Sequence, residues 1–195
     1  MYILFLGPAC PSIEARLSER GHVFVRTEEA LSLSWINEHH FDFGLSYRYK
    51  TIIRPDVIDY FEGKLINMHI SFLPWNRGSD PNLWSYIDDT PKGVTIHRMD
   101  EGIDTGDILI QQEVHIDPET DTLRTSYKKL TLAIEDLFIT NSDLLLNNLL
   151  IPKKQINGGS FHLSKDKDIF LPLLKKQWWD TPVNEIYRWS LIRYA

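Results

Sequence analysis

Apolar positions fall into short continuous runs separated by stretches with helical spacing. Residues 2–6, Tyr2-Ile3-Leu4-Phe5-Leu6, form an unbroken apolar run closed by Gly7-Pro8. Such a run marks a strand buried on both faces of a parallel sheet. Ser12 is a helix-capping type, and the helix it opens runs through Arg20 to the stop at Gly21. Residues 22–26 read as a strand, and residues 28–39 as a helix with Leu31 and Trp35 four apart on one face. Residues 41–49 return to strand. Pro55 opens a helix through Phe61, Gly63 ends it, and residues 65–70 form a fourth strand. This alternation predicts an α/β fold: an open, mostly parallel, twisted sheet of the Rossmann-like type with helices on both faces.

Residues 71–82 interrupt the rhythm with two Pro, one Gly, one Arg and one Trp. A loop of this kind at the carboxyl end of a central strand is where open α/β sheets place their sites. A short helix at 83–87 follows, then strands at 93–98 and 107–114 flanking an acidic loop that holds Asp100, Glu101 and Asp104. Residues 120–150 carry Leu123, Tyr127, Leu130, Ile134, Leu137 and Phe138 along one side of a long amphipathic helix. Residues 155–163 read as loop and strand around Gly158-Gly159. The last stretch is aromatic, with Trp178, Trp179, Tyr187 and Trp189. We divide the chain into a catalytic domain, 1–162, and a C-terminal extension, 163–195. The aromatic extension is expected either to wrap the chain's own core or to form a homodimer, the weaker alternative being an attachment surface for a neighbouring protein.

Composition changes this picture little. The chain has 195 residues, 43% hydrophobic and 25% charged, and a formal net charge of −6. The acidic balance weighs against nucleic acid as the main partner, because phosphate binding wants a basic face. The segment from residue 151 onward is net basic. Cys10 is the single cysteine, so neither an internal disulfide nor a cysteine metal cluster is expected. The apolar start has no basic leader, and no stretch approaches the ~20 apolar residues of a membrane helix. These features predict a cytoplasmic protein with no membrane partner.

Three polar residues stand out. Asn67 and His69 are two apart at a strand end, so they share a face. Asp104, in the acidic loop, is expected at the same edge. An amide donor can hold a developing oxyanion, and a His or Asp can take a proton. Acyl transfer to an amine needs these parts and no nucleophilic Ser or Cys. No metal is expected, since His69 and Asp104 would be only two ligands. From spacing alone, a structural role for a strand-end His beside Asn remains open.

The segment Asn67-Met68-His69-Ile70-Ser71-Phe72-Leu73-Pro74-Trp75-Asn76-Arg77-Gly78 resembles the first signature of the N10-formyltetrahydrofolate-dependent formyltransferases. Thr90-Pro91-Lys92-Gly93-Val94-Thr95-Ile96-His97-Arg98-Met99-Asp100-Glu101-Gly102-Ile103-Asp104-Thr105-Gly106-Asp107-Ile108-Leu109 resembles the second. Gln155, followed by Gly158-Gly159-Ser160-Phe161-His162, resembles the loop after the family's long helix. The resemblance implies that Asn67 bonds the formyl oxygen, His69 stabilises the tetrahedral intermediate and Asp104 orients His69 or a water. It implies N10-formyltetrahydrofolate as co-substrate, held by Asp100, Glu101, Gly102 and Ile103 on one wall and Tyr47, Tyr49, Lys50 and Ile52 on the other. Trp75 and Arg77 are candidates for the acceptor. His97 and His162 are read as structural or peripheral. Ile70 and Phe72 stand where the family commonly has Pro and Leu, which bears on pocket shape.

The block 73–85 looks most like nucleotide-sugar N-formyltransferases and peptide-synthetase formylation domains. The first is preferred, which implies a small-molecule primary amine, an amino-sugar nucleotide, as acceptor. Gly7-Pro8-Ala9-Cys10-Pro11-Ser12 is a poor phosphate cradle, because Pro lacks an N–H, and this disfavours glycinamide ribonucleotide. Residues 163–195 are too few for the tRNA-binding barrel of methionyl-tRNA formyltransferase. The alternatives are formylation of a carrier-bound aminoacyl group, hydrolysis of formyltetrahydrofolate, and a non-catalytic folate- or nucleotide-binding module.

Overall fold

The computed structural model describes residues 1–156 and 158–189. They form β1 (Tyr2–Leu6), α1 (Pro11–Glu19), β2 (Val23–Thr27), α2 (Leu33–His39), β3 (Phe43–Tyr47), α3 (Pro55–Tyr60), β4 (Leu65–His69), β5 (Arg77–Gly78), α4 (Pro81–Ile87), β6 (Gly93–Arg98), β7 (Ile108–Glu113), α5 (Leu123–Leu146) and β8 (Phe161–His162). The chain then makes a three-ten stretch (Ser164–Phe170), α6 (Leu171–Gln177), a three-ten turn (Trp178–Asp180) and α7 (Val183–Tyr187). The main sheet has the order β2-β1-β3-β4-β6-β7, with β5 and β8 paired separately.

The first four strands of that order run parallel. The predicted mostly parallel α/β sheet is therefore present. The turn from β6 to β7 reverses direction, with Arg98 N–H on the Asp107 carbonyl and Val114 N–H on the Lys92 carbonyl. Met99 N–H donates to the Leu65 carbonyl at 2.8 Å, which puts the end of β6 beside the start of β4, so β6 runs against β4. Counting inward from that bond sets His97 across from Asn67.

Two compact units are distinguished. The first comprises residues 1–69, 96–110 and 134–155. In it β1 is buried along nearly its whole length, as its unbroken apolar run requires. Leu4, Leu6, Ile36, Phe41, Val57 and Phe61 pack between the sheet and its helices. Gly7, at φ +130, ends β1 where a Cβ would sit 1.9 Å from the Tyr47 carbonyl oxygen, so only glycine lets β1 and β3 finish side by side.

The second unit comprises residues 70–95, 111–133 and the described part of 156–195. Its core joins Leu83, Trp84, Tyr86 and Ile87 of α4 to Leu123, Phe170, Leu174, Val183, Ile186 and Trp189. Of the four tail aromatics, Trp189 is buried and Tyr187 lies edge-on to Tyr86, whereas Trp178 and Trp179 remain 50% and 38% exposed. Asp121 ties the start of α5: it accepts from Lys129 Nζ at 2.6 Å, Thr125 Oγ1 at 2.8 Å and its neighbour Asp117 N–H at 2.8 Å.

Local differences from the sequence reading have physical causes. Ser12 does not cap α1; Cys10 holds that position without a side-chain bond, and the Ser12 hydroxyl donates to Glu135 at 2.7 Å. Helix α2 starts late, at Leu33, because Ser32 accepts from Trp35 N–H and closes the helix there. Helix α5 ends at Leu146, and Asn148 in the left-handed region carries the chain away.

Candidate active site

Strand alternation puts Asn67 and His69 on one face of β4, with Met68 on the other, buried face. The acidic loop between β6 and β7 brings Asp104 to that face. Its Oδ1 accepts from Nδ2 of Asn67 at 3.1 Å, and its Oδ2 lies 3.6 Å from Nδ1 of His69. Nε2 of His97 is 3.4 Å from the same Oδ1 and 3.3 Å from Nδ2 of Asn67. The two imidazoles meet edge to face, centroids 6.4 Å apart. Side-chain exposure is 8% for His69, 12% for Asp104 and 2% for His97, so the group works largely out of water.

The loop is built to hold this pose. Asp104 sits at φ +54, a left-handed conformation that a short polar side chain tolerates. Gln155 Nε2 donates at 2.8 Å to the carbonyls of both Asp104 and Gly106. A Cβ on Gly106 would lie 1.9 Å from the Arg98 carbonyl oxygen, so the loop closes only on glycine. Asp100 Oδ1 accepts from Gly102 N–H at 3.2 Å and Thr105 Oγ1 at 2.6 Å, folding the loop on itself. The result is an amide, a carboxylate and two imidazoles at a strand end. Such a group can hold a proton and present a polar donor to a forming oxyanion.

Other sequence candidates fall as follows. The Tyr47 ring is fully buried and its hydroxyl donates to Glu135 Oε1 at 3.1 Å. Burial, together with the Glu135 charge, pushes the phenol pKa up, so Tyr47 can offer a ligand only its main chain. Tyr49 is half-buried and donates to the Glu29 carbonyl at 2.6 Å. Lys50 and Ile52 are exposed, as are Asp100, Glu101, Gly102 and Ile103; Ile52 is 82% and Ile103 46% exposed. Trp75 and Arg77 are half-buried, and Arg77 N–H donates to the Ser160 carbonyl in the β5–β8 pair. His162 is buried, stacked on Trp84 at 3.9 Å and 2.8 Å from Asp88 Oδ2, a structural position.

Sequence reasoning takes His97 as structural or peripheral and gives Gln155 no role, whereas both lie against the Asn67–Asp104 group or its loop. Residues 93–97 are all buried, so no alternation marked which face His97 took. The usable signal was register: the pairing of β4 with β6 sets His97 opposite Asn67.

Within the second unit, a groove of about 120 Å³ is lined by Ile70, Asp80, Tyr127, Lys167, Trp178 and Trp179, among others. Lys167 pairs with Asp80 at 2.7 Å, and Trp179 stands edge-on to Tyr127. Its surface is mostly apolar and aromatic.

A family model described as formyl transferase matches residues 25–140. The chain belongs to the formyl transferase family. This member of the family is 42% identical to the formyltransferase PseJ of Anoxybacillus kamchatkensis, solved with UDP-4,6-dideoxy-4-formamido-L-AltNAc and tetrahydrofolate. That likeness has a TM-score of 0.93 and covers 97% of this chain and 100% of PseJ. An N-formyltransferase of Helicobacter canadensis, solved with folinic acid and dTDP-3-aminofucose, shares the fold at 23% identity and TM-score 0.67, over 85% of this chain and 71% of that one. Methionyl-tRNA formyltransferase of Solibacter usitatus is 34% identical over 130 residues, 66% of this chain. The chain spans 39% of that relative's length. Among the described residues no helix is long and apolar enough to cross a membrane.

Proposed function

We propose that this chain transfers a formyl group from N10-formyltetrahydrofolate to the primary amine of an amino-sugar nucleotide. The observation that carries the reading is the grouping of Asn67 and His69 around the Asp104 carboxylate, in a chain that matches PseJ over 97% of its length. In this reading the acceptor nitrogen attacks the formyl carbon. Asn67 and His69 stabilise the charge that develops on the formyl oxygen. Asp104 takes part in moving the amine proton, which ends on the departing folate nitrogen. No covalent enzyme intermediate is needed.

The exposed apolar side chains of Ile52 and Ile103 and the backbone of the acidic loop suit a flat, hydrogen-bonding pteridine ring. We assign the acceptor's nucleotide to the aromatic groove of the second unit, since exposed Trp faces beside Tyr127 offer stacking for a base. We assign the chemistry to 1–162, with 163–195 as a C-terminal extension. Cys10 is a free buried thiol, which agrees with a reducing compartment, and we place the reaction in the cytoplasm.

A thermal-shift panel tests the assignment. A stable formyltetrahydrofolate analogue combined with UDP- and dTDP-linked amino sugars should raise the melting temperature, and the analogue alone should raise it less. Stabilisation by aminoacyl-carrier mimics and by no nucleotide would move the acceptor to the carrier-bound class.

A further inference from the structure

His97 has two ring nitrogens with different partners. Nδ1 lies 2.7 Å from the Arg98 carbonyl oxygen, which can only accept, so Nδ1 carries a hydrogen. In the neutral ring Nε2 is therefore a bare acceptor. Its neighbours are Nδ2 of Asn67 at 3.3 Å and Oδ1 of Asp104 at 3.4 Å.

Asn67 is fixed by the same logic. Asp104 Oδ1, as a carboxylate oxygen, accepts only, so the atom of Asn67 lying 3.1 Å from it is the amide nitrogen. That nitrogen has two hydrogens. One goes to Asp104. With His97 neutral, the other goes to Nε2, and the amide has no hydrogen left for a third acceptor. One proton added between Nε2 and Oδ1 changes this. Whether it sits on His97 or on Asp104, it occupies the Nε2 lone pair and breaks the Asn67–His97 bond.

We propose that His97 is a positioning residue that controls whether Asn67 has a hydrogen to give to the reacting acyl oxygen. The proposal rests on the formyl-transfer reading above. In the resting arrangement His97 holds the amide in place. As the new N–C bond forms, the acceptor amine gives up one proton to the Asp104–His97 pair. Arrival of that proton releases the second Asn67 hydrogen toward the oxyanion. On collapse, the C–N10 bond breaks with its electron pair on the folate nitrogen, which takes the proton from the pair. The pair ends as it began, and Asn67 returns to His97. Proton uptake and oxyanion stabilisation are thus one event. Among the described residues, the charged or titratable groups facing His97 are Asp104 from the loop and His69 from β4, whose ring stands edge-on.

The substitution His97→Gln offers a permanent neutral acceptor that cannot take a proton. Its expected effect is a loss of kcat on the order of 100-fold, in the range for a general acid or base, with KM for the folate within about threefold. The pH dependence of kcat should flatten on the acid side relative to the parent enzyme. A His97→Gln enzyme that is folded and keeps kcat within about threefold, with an unchanged pH profile, would overturn the proposal. Nitrogen NMR on the unaltered protein gives a readout independent of turnover and of variant folding. The Asn67 side-chain NH₂ signals should shift with the same midpoint as the His97 ring nitrogens. Independent titration, or a ring with its hydrogen on Nε2, would also overturn it. If the parent enzyme shows no formyl transfer while this coupling is seen, the functional reading fails and the hydrogen-bond switch stands.

Discussion

The side-chain amide of Gln155 donates to the Asp104 carbonyl at 2.8 Å, from 51 residues further along the chain. With its second bond, to the Gly106 carbonyl, it fixes the backbone on both sides of Thr105. Gln155→Ala should therefore loosen Asp104 without touching it. Two hydrogen bonds at about 1 kcal/mol each set the scale of destabilisation. The expected kcat is roughly tenfold lower, because small misplacements of reacting groups are costly. Urea unfolding and steady-state kinetics measure both effects.

Gly106→Ala should be worse for the fold. The new methyl would meet the Arg98 carbonyl oxygen at 1.9 Å, backbone that cannot swing aside. Overpacking of this kind costs about 1–3 kcal/mol, which for a chain of this size is a drop of several degrees in melting temperature. A calorimetric scan matching the parent protein would show that the loop opens freely, contrary to the geometry.

Much of this site is legible in the sequence. The apolar run 2–6 marks a buried parallel strand, and the two-residue spacing of Asn67 and His69 marks a shared face. Other parts had no local signal. Gln155 reaches across 51 positions, and nothing in the sequence around it indicates its target. His97 lies in a strand buried along almost its entire length, where polar and apolar residues are equally hidden. The tail gets no element assignment from the sequence, since its three-ten segments at Ser164–Phe170 and Trp178–Asp180 have no 3.6-residue period. Of its aromatics, Trp189 is covered by the core of α4 and α7, whereas Trp178 and Trp179 stay exposed.

Acid sensitivity should come in part from Asp121. Burial raises its pKa, but bonds from Lys129, Thr125 and the Asp117 amide outweigh this, and the carboxyl sits below its ordinary value. A depressed folded-state pKa gives stability that is full above the unfolded value, near about 4, and fades as pH falls through the folded value. Asp121→Asn should flatten the stability-versus-pH curve on its acid limb and lower stability at neutral pH by about 1–3 kcal/mol. Urea midpoints measured from pH 7 down to acid would show whether the slope changes.

Trp178 supplies an exposed face of the aromatic groove. Stacking of a base on an aromatic ring is worth about 1–3 kcal/mol, or roughly 5- to 160-fold in affinity. Trp178→Ala should raise KM for a nucleotide-linked acceptor in that range. Both kcat and the folate KM should stay within about threefold. An unchanged acceptor KM would remove the groove from the acceptor's path.

Asn67→Ala should lower kcat on the order of 100- to 1,000-fold, as for loss of an oxyanion donor. Loss of His69 or Asp104 should cost on the order of 100- to 10,000-fold. Because Asn67 and His69 both contact the Asp104 carboxylate and, in the proposed mechanism, act on one intermediate, the double variant Asn67→Ala, His69→Ala should lose less than the product of the two single losses. Multiplicative losses would mean independent action and a different mechanism.

The most direct test of the central claim is a product balance. Purified enzyme is supplied with N10-formyltetrahydrofolate and a UDP-linked 4-amino sugar, and formamido product, tetrahydrofolate and formate are quantified together. The account predicts one formamido sugar per tetrahydrofolate, no formate, and loss of both products in Asn67→Ala. Formate released in step with tetrahydrofolate, with the amine untouched, would contradict it and identify a hydrolase.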